Sequence, residues 1–481
     1  MVCSDLVAKL IWNCGMRMPP RGWAERTGGL WSSLLRLHAF WHTLDVRVPV
    51  RRLEGGMDLT PPVRPHHESR PRLGGIRFLV RRATYAASSQ WRGLLGRVAG
   101  VQFIGVTGSA GKTTTTKLIG ACLRVAGRVR DTDLMVGQLN GQRFAAQLVL
   151  TTTPFHRFCV SEFGIGGPGM MTSYVEAMPP DIGVVTNVAW DHYSAFRGLE
   201  STAREKRVLI EALPPHGTAV LNGDDPNVLG MHAYTRARIL TFGLSDEAEV
   251  RGEEVSAVWP DRLSLTVRHG TERVRVATRL VGGHFAHAVL GALATAVAAG
   301  VPLGDAARAL ENVEPVDGRY SVHSVRGVTL IRDDWKAPLW SIPAALQFLG
   351  AARAQRKIFI LGTISDYPGD SSQKYRAVVR QAVPAADHVF FVGRMAHCAL
   401  RARDASNPDR VAAFDTLLAL HQYLEGFLQD GDLVLVKGSA TADHLQRLVL
   451  SRSGENQCWE PACGRAIFCS ACDLRMHPVA G

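Results

Sequence analysis

The sequence contains no apolar segment that approaches the roughly 18 residues of a membrane-spanning helix. The best candidate, Ala286–Val301, is interrupted by His287, and we expect a buried helix there. A secretory signal is also missing, because Met1–Asn13 carries Asp5 and Lys9 and has no clear apolar core. These absences argue against stable membrane insertion and lead us to expect a cytoplasmic protein.

Excess charge is scarce outside the first hundred residues. The chain of 481 residues has a net charge of +12, and residues 1–100 hold 16 Lys and Arg against 6 Asp and Glu. A nucleic-acid-binding protein usually carries its basic charge on the folded body. Here that body is near neutral, so we expect no nucleic acid as a partner. The length indicates two to four domains.

Residues 1–98 form a basic extension rich in Trp and Arg, which we expect to be partly disordered. Short helices are predicted over Gly29–His42 and Leu79–Val98. Two interpretations stay open for this extension. It is either a docking surface for an acidic partner or a membrane face, or a poorly ordered leader upstream of the true start.

The stretch Val101–Thr116 joins an apolar strand, a glycine-rich turn and a helix start. The strict phosphate-loop pattern needs Gly where Val106 stands, so this turn is a variant of it. Backbone N–H groups in such a turn can face phosphate oxygens, Lys112 can reach the terminal phosphates, and Thr113 can bind Mg²⁺. We therefore predict nucleotide binding by Thr107, Gly108, Ser109, Ala110, Gly111, Lys112, Thr113 and Thr114.

Strands and helices alternate along the rest of the chain, which predicts an α/β fold. Strands are expected at Gln102–Thr107, Phe158–Phe163, Ile182–Asn187, Thr218–Asn222, Lys357–Gly362, His388–Val392 and Leu433–Lys437. This order predicts a central parallel-sheet ATPase domain with a phosphate loop and a smaller Rossmann-like C-terminal domain. Ligands of such sheets lie at the carboxyl ends of the strands.

Side chains with metal-binding chemistry follow two of these strands. Glu162 ends one strand, and a carboxylate beside a phosphate loop is a natural Mg²⁺ ligand. Asp191 and His192 follow the next strand and should lie at the same sheet edge as Lys112. A solvated strand end and a structural histidine are the alternatives.

The ordered motifs resemble the Mur ligase family of ATP-dependent amide-bond ligases, which also includes folylpolyglutamate and cyanophycin-type synthetases. The resemblance spans about residues 100–452 and is closest in style to the UDP-N-acetylmuramoyl-tripeptide–D-alanyl-D-alanine ligase branch, without a recognisable sugar-binding domain. The matching segments are residues 107–114, Thr151–Pro154, Glu162, His192, Lys206, Asn222–Pro226, Gly283-His284, Val316–Arg319, Leu330–Asp334 and Lys437–Ser439.

The resemblance implies a reaction and a set of site residues. ATP would convert a substrate carboxylate into an acyl phosphate, which an amine then attacks with release of phosphate. It implies that Lys112 and Arg319 hold the γ-phosphate, that Thr113 and Glu162 bind one Mg²⁺, and that His192 and a carbamylated Lys206 bind a second. His284 would lie on the adenine side, and Asp333 or Asp334 would position the ribose or, less readily, the amine. The catalytic set would thus be Lys112, Lys206, His192 and Arg319.

Three departures from the family pattern bear on the substrates. Phe285 and Ala288 replace two asparagines near the adenine, and Asp333–Trp340 is more aromatic and basic than the corresponding family segment. No sugar-binding domain is recognisable before the phosphate loop. The expected partners are therefore a small-molecule carboxylate and an amine, bound by a monomer. A glutamine-dependent amidating subunit and a degenerate nucleotide-binding scaffold stay open as alternatives.

Four of the nine cysteines lie close together near the end of the chain, at Cys458, Cys463, Cys469 and Cys472. Four thiolates suit a tetrahedral, structural Zn²⁺ ion, with free thiols or a redox pair as alternatives. The expected domains are therefore the extension (1–98), the central ATP-binding domain (99–316), the C-terminal domain (317–452) and a zinc-binding-like tail (453–481).

Overall fold

The computed structural model describes residues 71–131, 141–191, 193–403, 409–461, 463–465 and 467–477. All of them belong to one compact unit, Arg70–Gly481. The helix predicted over Gly29–His42 and most of the basic extension lie outside the described residues. None of the helices in the described ranges is long and apolar enough to cross a membrane.

The first sheet in these ranges has nine strands, which follow one another in the sequence as β1 (Gln102–Thr107), β2 (Val129–Asp131), β3 (Phe158–Glu162), β4 (Ile182–Val185), β5 (Thr218–Asn222), β6 (Arg238–Gly243), β7 (Val250–Ser256), β8 (Ser264–His269) and β9 (Glu272–Ala277). Their spatial order is β2-β3-β1-β4-β5-β6-β7-β8-β9. The pairs from β2 to β7 are parallel, and β8 and β9 extend the sheet as antiparallel strands.

The second sheet has six strands in the described residues: β10 (Ser321–Val325), β11 (Val328–Asp333), β12 (Arg356–Leu361), β13 (His388–Val392), β14 (Val411–Phe414) and β15 (Asp432–Lys437). Their spatial order is β10-β11-β15-β12-β13-β14, and only the β10–β11 hairpin is antiparallel. The predicted α/β fold with two parallel-rich sheets is confirmed.

Helices connect the strands and cover the sheets. In chain order they are α1 (Pro71–Ala99), α2 (Lys112–Arg124), α3 (Gln142–Leu150), α4 (Met170–Ala177), α5 (Tyr193–Phe196), α6 (Leu199–Glu211), α7 (Pro226–Leu229), α8 (Ala286–Ala298), α9 (Leu303–Ala309), α10 (Ile342–Ala351), α11 (Ser371–Ala382), α12 (His397–Leu400), α13 (Leu417–Phe427) and α14 (Gln446–Arg452). The helix predicted over Leu79–Val98 is present as the longer α1.

The apolar helix α8 is buried along most of its length, as its composition predicts. Small alanine side chains let it pack closely against α2 and against β5–β7. Strands β1, β3 and β4 are also buried on both faces, which explains why their sequences are continuously apolar rather than alternating. This packing fixes the three strand ends from which the candidate site is built.

Helix α1 lies against the first sheet's helices and is fixed there by polar contacts. The Ser88 hydroxyl donates to the Ala177 carbonyl at 2.6 Å, and the Trp91 indole donates to the Thr152 carbonyl at 2.9 Å. Arg92 forms an ion pair with Asp181, whose carboxylate also accepts from the Phe103 N–H. The end of the predicted extension is therefore part of the folded body.

Candidate functional site

The turn between β1 and α2 has a backbone shape that only glycine fits. Gly108 has φ 152°, and a Cβ there would lie 1.8 Å from Thr186 Oγ1. Gly111, just before α2, has φ 76° in the left-handed region. Both glycines therefore follow from local geometry, and the turn leaves the start of α2 open at the carboxyl end of the sheet.

The strand end of β4 braces this turn from the side. Asn187 Oδ1 accepts hydrogen bonds from Ser109 N–H at 3.0 Å and Ala110 N–H at 2.8 Å, and the Thr186 hydroxyl donates to the Ala110 carbonyl at 2.6 Å. Asn187 is not among the site residues predicted from the sequence. Its position at the end of the predicted strand Ile182–Asn187, two residues after β4, is the signal that could have identified it.

Thr113 and Glu162 meet as the sequence predicts. Glu162 is the register partner of Val106 on the neighbouring strand, which places its carboxylate beside the first turn of α2. Thr113 Oγ1 donates to Glu162 Oε2 at 2.8 Å, and Lys112 Nζ donates to the Gly108 carbonyl at 2.8 Å. A hydroxyl and a carboxylate in contact are oxygen ligands of the kind that Mg²⁺ prefers.

Lys206, on α6, is fully buried, and its amine has no hydrogen-bond partner. Burial, reinforced by the nearby charge of Lys112 and opposed by Asp191 and Glu205, lowers its pKa to about 7. A large fraction of this amine is therefore neutral near pH 7. A neutral buried amine is the form that reacts with CO₂ to give a carbamate.

His192, the other predicted ligand of the second metal, lies outside the described residues. Its neighbour Asp191 is buried and lies 3.9 Å from Lys336 Nζ. The structure therefore brings Glu162, Asp191 and Lys206 toward the Lys112 turn, while the His192 assignment stays a prediction.

Two cations from the second half of the chain approach the same turn. Burial lowers the pKa of Lys112, Asp191 and Glu162 oppose that shift, and the charges of Arg319 and Lys336 add to it. Arg319 carries a buried Nε without a hydrogen-bond partner. Lys112, Arg319 and Lys336 together outnumber the two carboxylates, Glu162 and Asp191, so the cleft suits a polyanion.

A second cluster lies at the ends of β11 and β15. Asp333 and Lys437 are register partners, and Lys437 Nζ donates to Asp333 Oδ2 at 2.5 Å. The centroid of the His284 ring lies 4.4 Å from the ring centroids of both Phe285 and Tyr320, and the residue is exposed. An imidazole at the edge of an aromatic cluster could stack on a nucleotide base.

Asp334, unlike Asp333, is held in a buried ion pair. It is buried and accepts from Arg332 Nη2 at 3.0 Å and from Arg332 Nε at 3.2 Å. Arg332 Nη1 also donates to Asp317 at 2.6 Å, just before the segment that carries Arg319. Of the two predicted ribose-side carboxylates, Asp333 is thus the more accessible.

Two other predicted motifs act as braces. In the Asn222–Pro226 turn, Asn222 Nδ2 donates to the Thr186 carbonyl at 2.8 Å, and Asp225 accepts from Val188 N–H at 2.7 Å. In the Thr151–Pro154 turn, the Thr152 hydroxyl donates to the Leu148 carbonyl within α3. The first turn fixes the segment after β4, from which Asn187 and Asp191 extend.

The four tail cysteines are free thiols, and all four line one cavity of about 120 Å³. In the described part of the chain, however, no three His, Cys, Asp or Glu side chains converge closely enough to hold a metal ion. The predicted cysteine cluster is present as a common lining, but its thiols are not in coordination geometry.

Comparisons with protein families agree with this architecture. The Mur ligase middle domain matches residues 106–296, and the Mur ligase, glutamate ligase domain matches residues 318–440. The second match begins at Gly318, beside Arg319, and the two matches together cover about two thirds of the chain.

Individual relatives point the same way. A UDP-N-acetylmuramoyl-tripeptide–D-alanyl-D-alanine ligase of Mycobacterium tuberculosis is 31% identical over 369 residues, which are 71% of each chain. Among solved structures, MurF from Acinetobacter baumannii has a TM-score of 0.69 at 23% identity and covers 78% of this chain and 80% of its own. MurF ligase from Thermotoga maritima in complex with ADP has a TM-score of 0.66 at 19% identity, with coverages of 78% and 84%. These structures share the fold.

Proposed function

Because this chain belongs to the Mur ligase family and is an ATP-dependent amide-bond ligase, we propose that it joins the carboxylate of a small peptide to a dipeptide amine at the Lys112 turn. The observation that supports this site best is the meeting of Lys112, Thr113 and Glu162 with the buried amine of Lys206. A binding scaffold has no use for an unpaired buried amine, which costs stability.

The residues of the cleft fit ATP and Mg²⁺, because several of their buried polar atoms have no hydrogen-bond partner and these ligands could supply one. Thr114 Oγ1, Lys206 Nζ and Arg319 Nε are buried without hydrogen bonds, and phosphate oxygens and ligated cations are groups that satisfy such atoms. Thr113 and Glu162 would hold one Mg²⁺, and His192 and Lys206 a second. When bound, Mg²⁺ would neutralise part of the negative charge on the phosphate oxygens.

In the first chemical step, a carboxylate oxygen of the acid attacks the γ-phosphorus of ATP and ADP leaves. Lys112 and Arg319 hold the γ-phosphate and stabilise the negative charge on its oxygens. In the second step, the amine nitrogen attacks the acyl carbon and loses a proton, and phosphate leaves. The protein acts by positioning the two reactants and by excluding water from the acyl phosphate.

Lys206 acts in this scheme as a carbamate. Its neutral amine adds to the carbon of CO₂ and loses a proton, which gives a carboxylate on a lysine stem and removes the cost of a buried ammonium ion. Lys112 and Lys336, both close enough to perturb its pKa, would balance the new negative charge. The resulting carbamate would offer a carboxylate ligand on a side chain longer than that of Glu.

The substrates are proposed from the relatives. Because a relative at 31% identity is named a UDP-N-acetylmuramoyl-tripeptide–D-alanyl-D-alanine ligase, a tripeptide carboxylate and D-alanyl-D-alanine are the first pair to test. In this proposal, Trp335 would offer an aromatic wall and Lys336 a cation for the carboxylate end of the dipeptide. We also propose the boundaries 99–316 for the nucleotide domain, 317–452 for the C-terminal domain and 453–481 for a metal-binding tail, with ATP bound between the first two.

The proposal is tested by ADP and phosphate release with each substrate alone and with both together. We expect release only with ATP, Mg²⁺, UDP-N-acetylmuramoyl-tripeptide and D-alanyl-D-alanine, and a ligated product by mass spectrometry. Lys112→Ala should abolish turnover, while Lys117→Ala on the same helix serves as the control.

Other outcomes separate the alternatives. Product formed only from a pool of other acids and amines would keep the ligase and change the substrates. Amidation that depends on glutamine and a partner subunit would favour the amidating alternative. Nucleotide binding without turnover of any pool of acids and amines would favour the alternative of a degenerate nucleotide-binding scaffold.

A further inference from the structure

The segment 317–321, which leads from Asp317 through Arg319 into β10, has an unusual backbone on both sides of that arginine. Gly318 has φ 71° and Tyr320 has φ 57°, so both neighbours of Arg319 adopt the left-handed conformation. Glycine adopts it at little cost, whereas a bulky aromatic residue does so only where its surroundings impose it. Tyr320 is therefore held against its own backbone preference, directly beside the proposed γ-phosphate ligand.

The ring of Tyr320 belongs to an aromatic cluster that both halves of the chain build. Its centroid lies 4.4 Å from that of His284 and 5.5 Å from that of Phe285, both at the start of α8. It also lies 5.4 Å from the ring centroid of Phe348 on α10. The contacts with the two phenylalanines are edge-to-face, an arrangement that aromatic pairs favour. Because Tyr320 is only 4% exposed, the packing of its ring can offset the cost of its backbone.

The other end of the segment is anchored by polar contacts. Asp317 accepts from Arg332 Nη1 at 2.6 Å, and the Gly318 N–H donates to the Ser321 hydroxyl at 3.1 Å. The backbone of Arg319 is thus fixed on its amino-terminal side by hydrogen bonds. On its other side, the aromatic ring of the next residue is the group that fixes it.

The direction of the Arg319 side chain matters because it extends to the first half of the chain. Its charge is one of the causes that lower the pKa of Lys112, after burial. Its Nε is buried and has no hydrogen-bond partner within the described residues. A guanidinium held so loosely by its surroundings depends on its backbone for its orientation.

We propose that Tyr320 is a positioning residue for the ligation reaction, whose ring holds the backbone that directs Arg319 toward the γ-phosphate at the Lys112 turn. Tyr320 acts through its neighbour and touches no reacting atom. This role rests on the proposed phosphate contact of Arg319, whereas the aromatic cluster and the left-handed backbone are independent of it. A base stacked on His284 would also support the same ring, since His284 is exposed at the edge of the cluster.

Three substitutions separate the ring from the backbone. Tyr320→Phe keeps the ring, Tyr320→Ala removes the ring and keeps the strain, and Tyr320→Gly removes both. We expect kcat to stay near that of the natural protein in the first variant and to fall about 10- to 100-fold in the other two, as small misplacements of a charged group produce. The Kd for ATP should stay within a few-fold in all three. Tyr320→Gly should melt at a higher temperature than Tyr320→Ala, because glycine tolerates the left-handed backbone.

A matched control removes a ring from a different aromatic cluster. Phe427 on α13 lies 5.2 Å from Phe390, measured between ring centroids. Phe427→Ala should lower the melting temperature and leave kcat unchanged, which separates a general loss of packing from a loss of positioning. An unchanged kcat in Tyr320→Ala, or the natural kcat in Tyr320→Gly, overturns the proposal.

A second measurement does not use turnover. Phenylglyoxal labels arginine side chains, and peptide mass spectrometry gives the labelling rate at Arg319 with and without ATP and Mg²⁺. We expect the nucleotide to slow labelling in the natural protein and in Tyr320→Phe, and to leave the rate unchanged in Tyr320→Ala, which still binds ATP. Equal protection of the natural protein and Tyr320→Ala, or no protection of either, overturns the proposal. The expected labelling pattern in a chain that ligates no acid–amine pair would refute the proposed reaction and leave the role of Tyr320 standing.

Discussion

At the residue scale, the site is defined by groups whose placement disfavours folding. Lys206 is buried without a partner, and Arg319 hides an unpaired Nε. Natural proteins retain such arrangements where a ligand or a modification satisfies them. The sequence pattern could identify Lys206 only through family resemblance, because a lysine within a helix is ordinarily exposed. Its burial depends on the strands packed beneath α6.

Replacing Lys206 by Met should stabilise the protein and abolish ligation. The variant removes an unpaired buried amine at similar volume, and we expect the free energy of unfolding to rise by about 1–3 kcal/mol. Urea denaturation and a coupled ADP-release assay measure the two effects, with Lys117→Met as the control. A variant that is both destabilised and active would contradict the assignment.

The stability gain of this variant should depend on pH. The pKa of Lys206 is about 7 in the folded chain and has an ordinary value of 10.5. Between these values the unfolded state binds the additional proton, so stability of the natural protein rises with pH across this window. The advantage of Lys206→Met should therefore be largest below pH 7 and should shrink above it.

At the scale of elements, strand ends and turns were the most predictable features. Strands β1, β5 and β13 begin and end at the predicted residues. The predicted bounds of β3, β12 and β15 are wrong by one residue, and the predicted end of β4 lies two residues too late. The antiparallel β8–β9 extension was not predicted, since alternating polar strands such as Glu272–Ala277 resemble exposed loops in a single sequence. The bracing of the glycine turn by Asn187 also depends on pairing between β1 and β4 that no local pattern reveals.

Gly108→Ala should destabilise the first sheet and weaken nucleotide binding. Its Cβ would overlap Thr186 Oγ1 at 1.8 Å, so the β4 end must shift. We expect a loss of about 2 kcal/mol or more in the free energy of unfolding, measured by denaturation, and a higher Kd for ATP. Gly167→Ala, where a Cβ meets nothing within 4 Å, is the control. Equal effects of both changes would show that the close approach is unimportant.

Arg332→Leu should be severely destabilising, because it leaves the Asp334 carboxylate buried without its cation. Burial raises the pKa of Asp334, and Arg332 opposes that shift. Loss of one partner from a buried pair costs about 3–5 kcal/mol, whereas Arg353→Leu, which breaks the exposed pair with Asp261, should cost at most about 1 kcal/mol. Urea denaturation distinguishes them, and a loss near that of the exposed pair would contradict the prediction.

At the scale of the whole molecule, two parallel-rich sheets meet at one cleft. The first sheet contributes the Lys112 turn, Glu162 and Lys206, and the second half of the chain contributes Arg319 and Lys336. The existence of both sheets was predictable from strand–helix alternation. Their convergence was not predictable, because it depends on the orientation of segments that lie far apart in sequence. The packing of the Phe468 ring in the tail against the Trp335 ring is unpredictable for the same reason.

Arg319→Ala should separate binding from catalysis. Because Arg319 reaches the turn from the second half of the chain, its loss should leave ATP affinity within a few-fold and lower kcat by about 10²- to 10³-fold, as loss of other charge-stabilising groups does. Steady-state kinetics and equilibrium titration with a fluorescent nucleotide provide the two readouts. Arg353→Ala is the control, and a change in affinity alone would place Arg319 in binding only.

The position of β15 has a consequence for biosynthesis. This strand is the last of the second sheet to leave the ribosome, yet it lies between β11 and β12, which it joins by hydrogen bonds on both sides. Nascent chains that end before Asp432 carry two strand edges waiting for a neighbour, and such edges are prone to pair with other chains. Prematurely truncated products of this gene should therefore aggregate or require chaperones even when their amino-terminal half has folded.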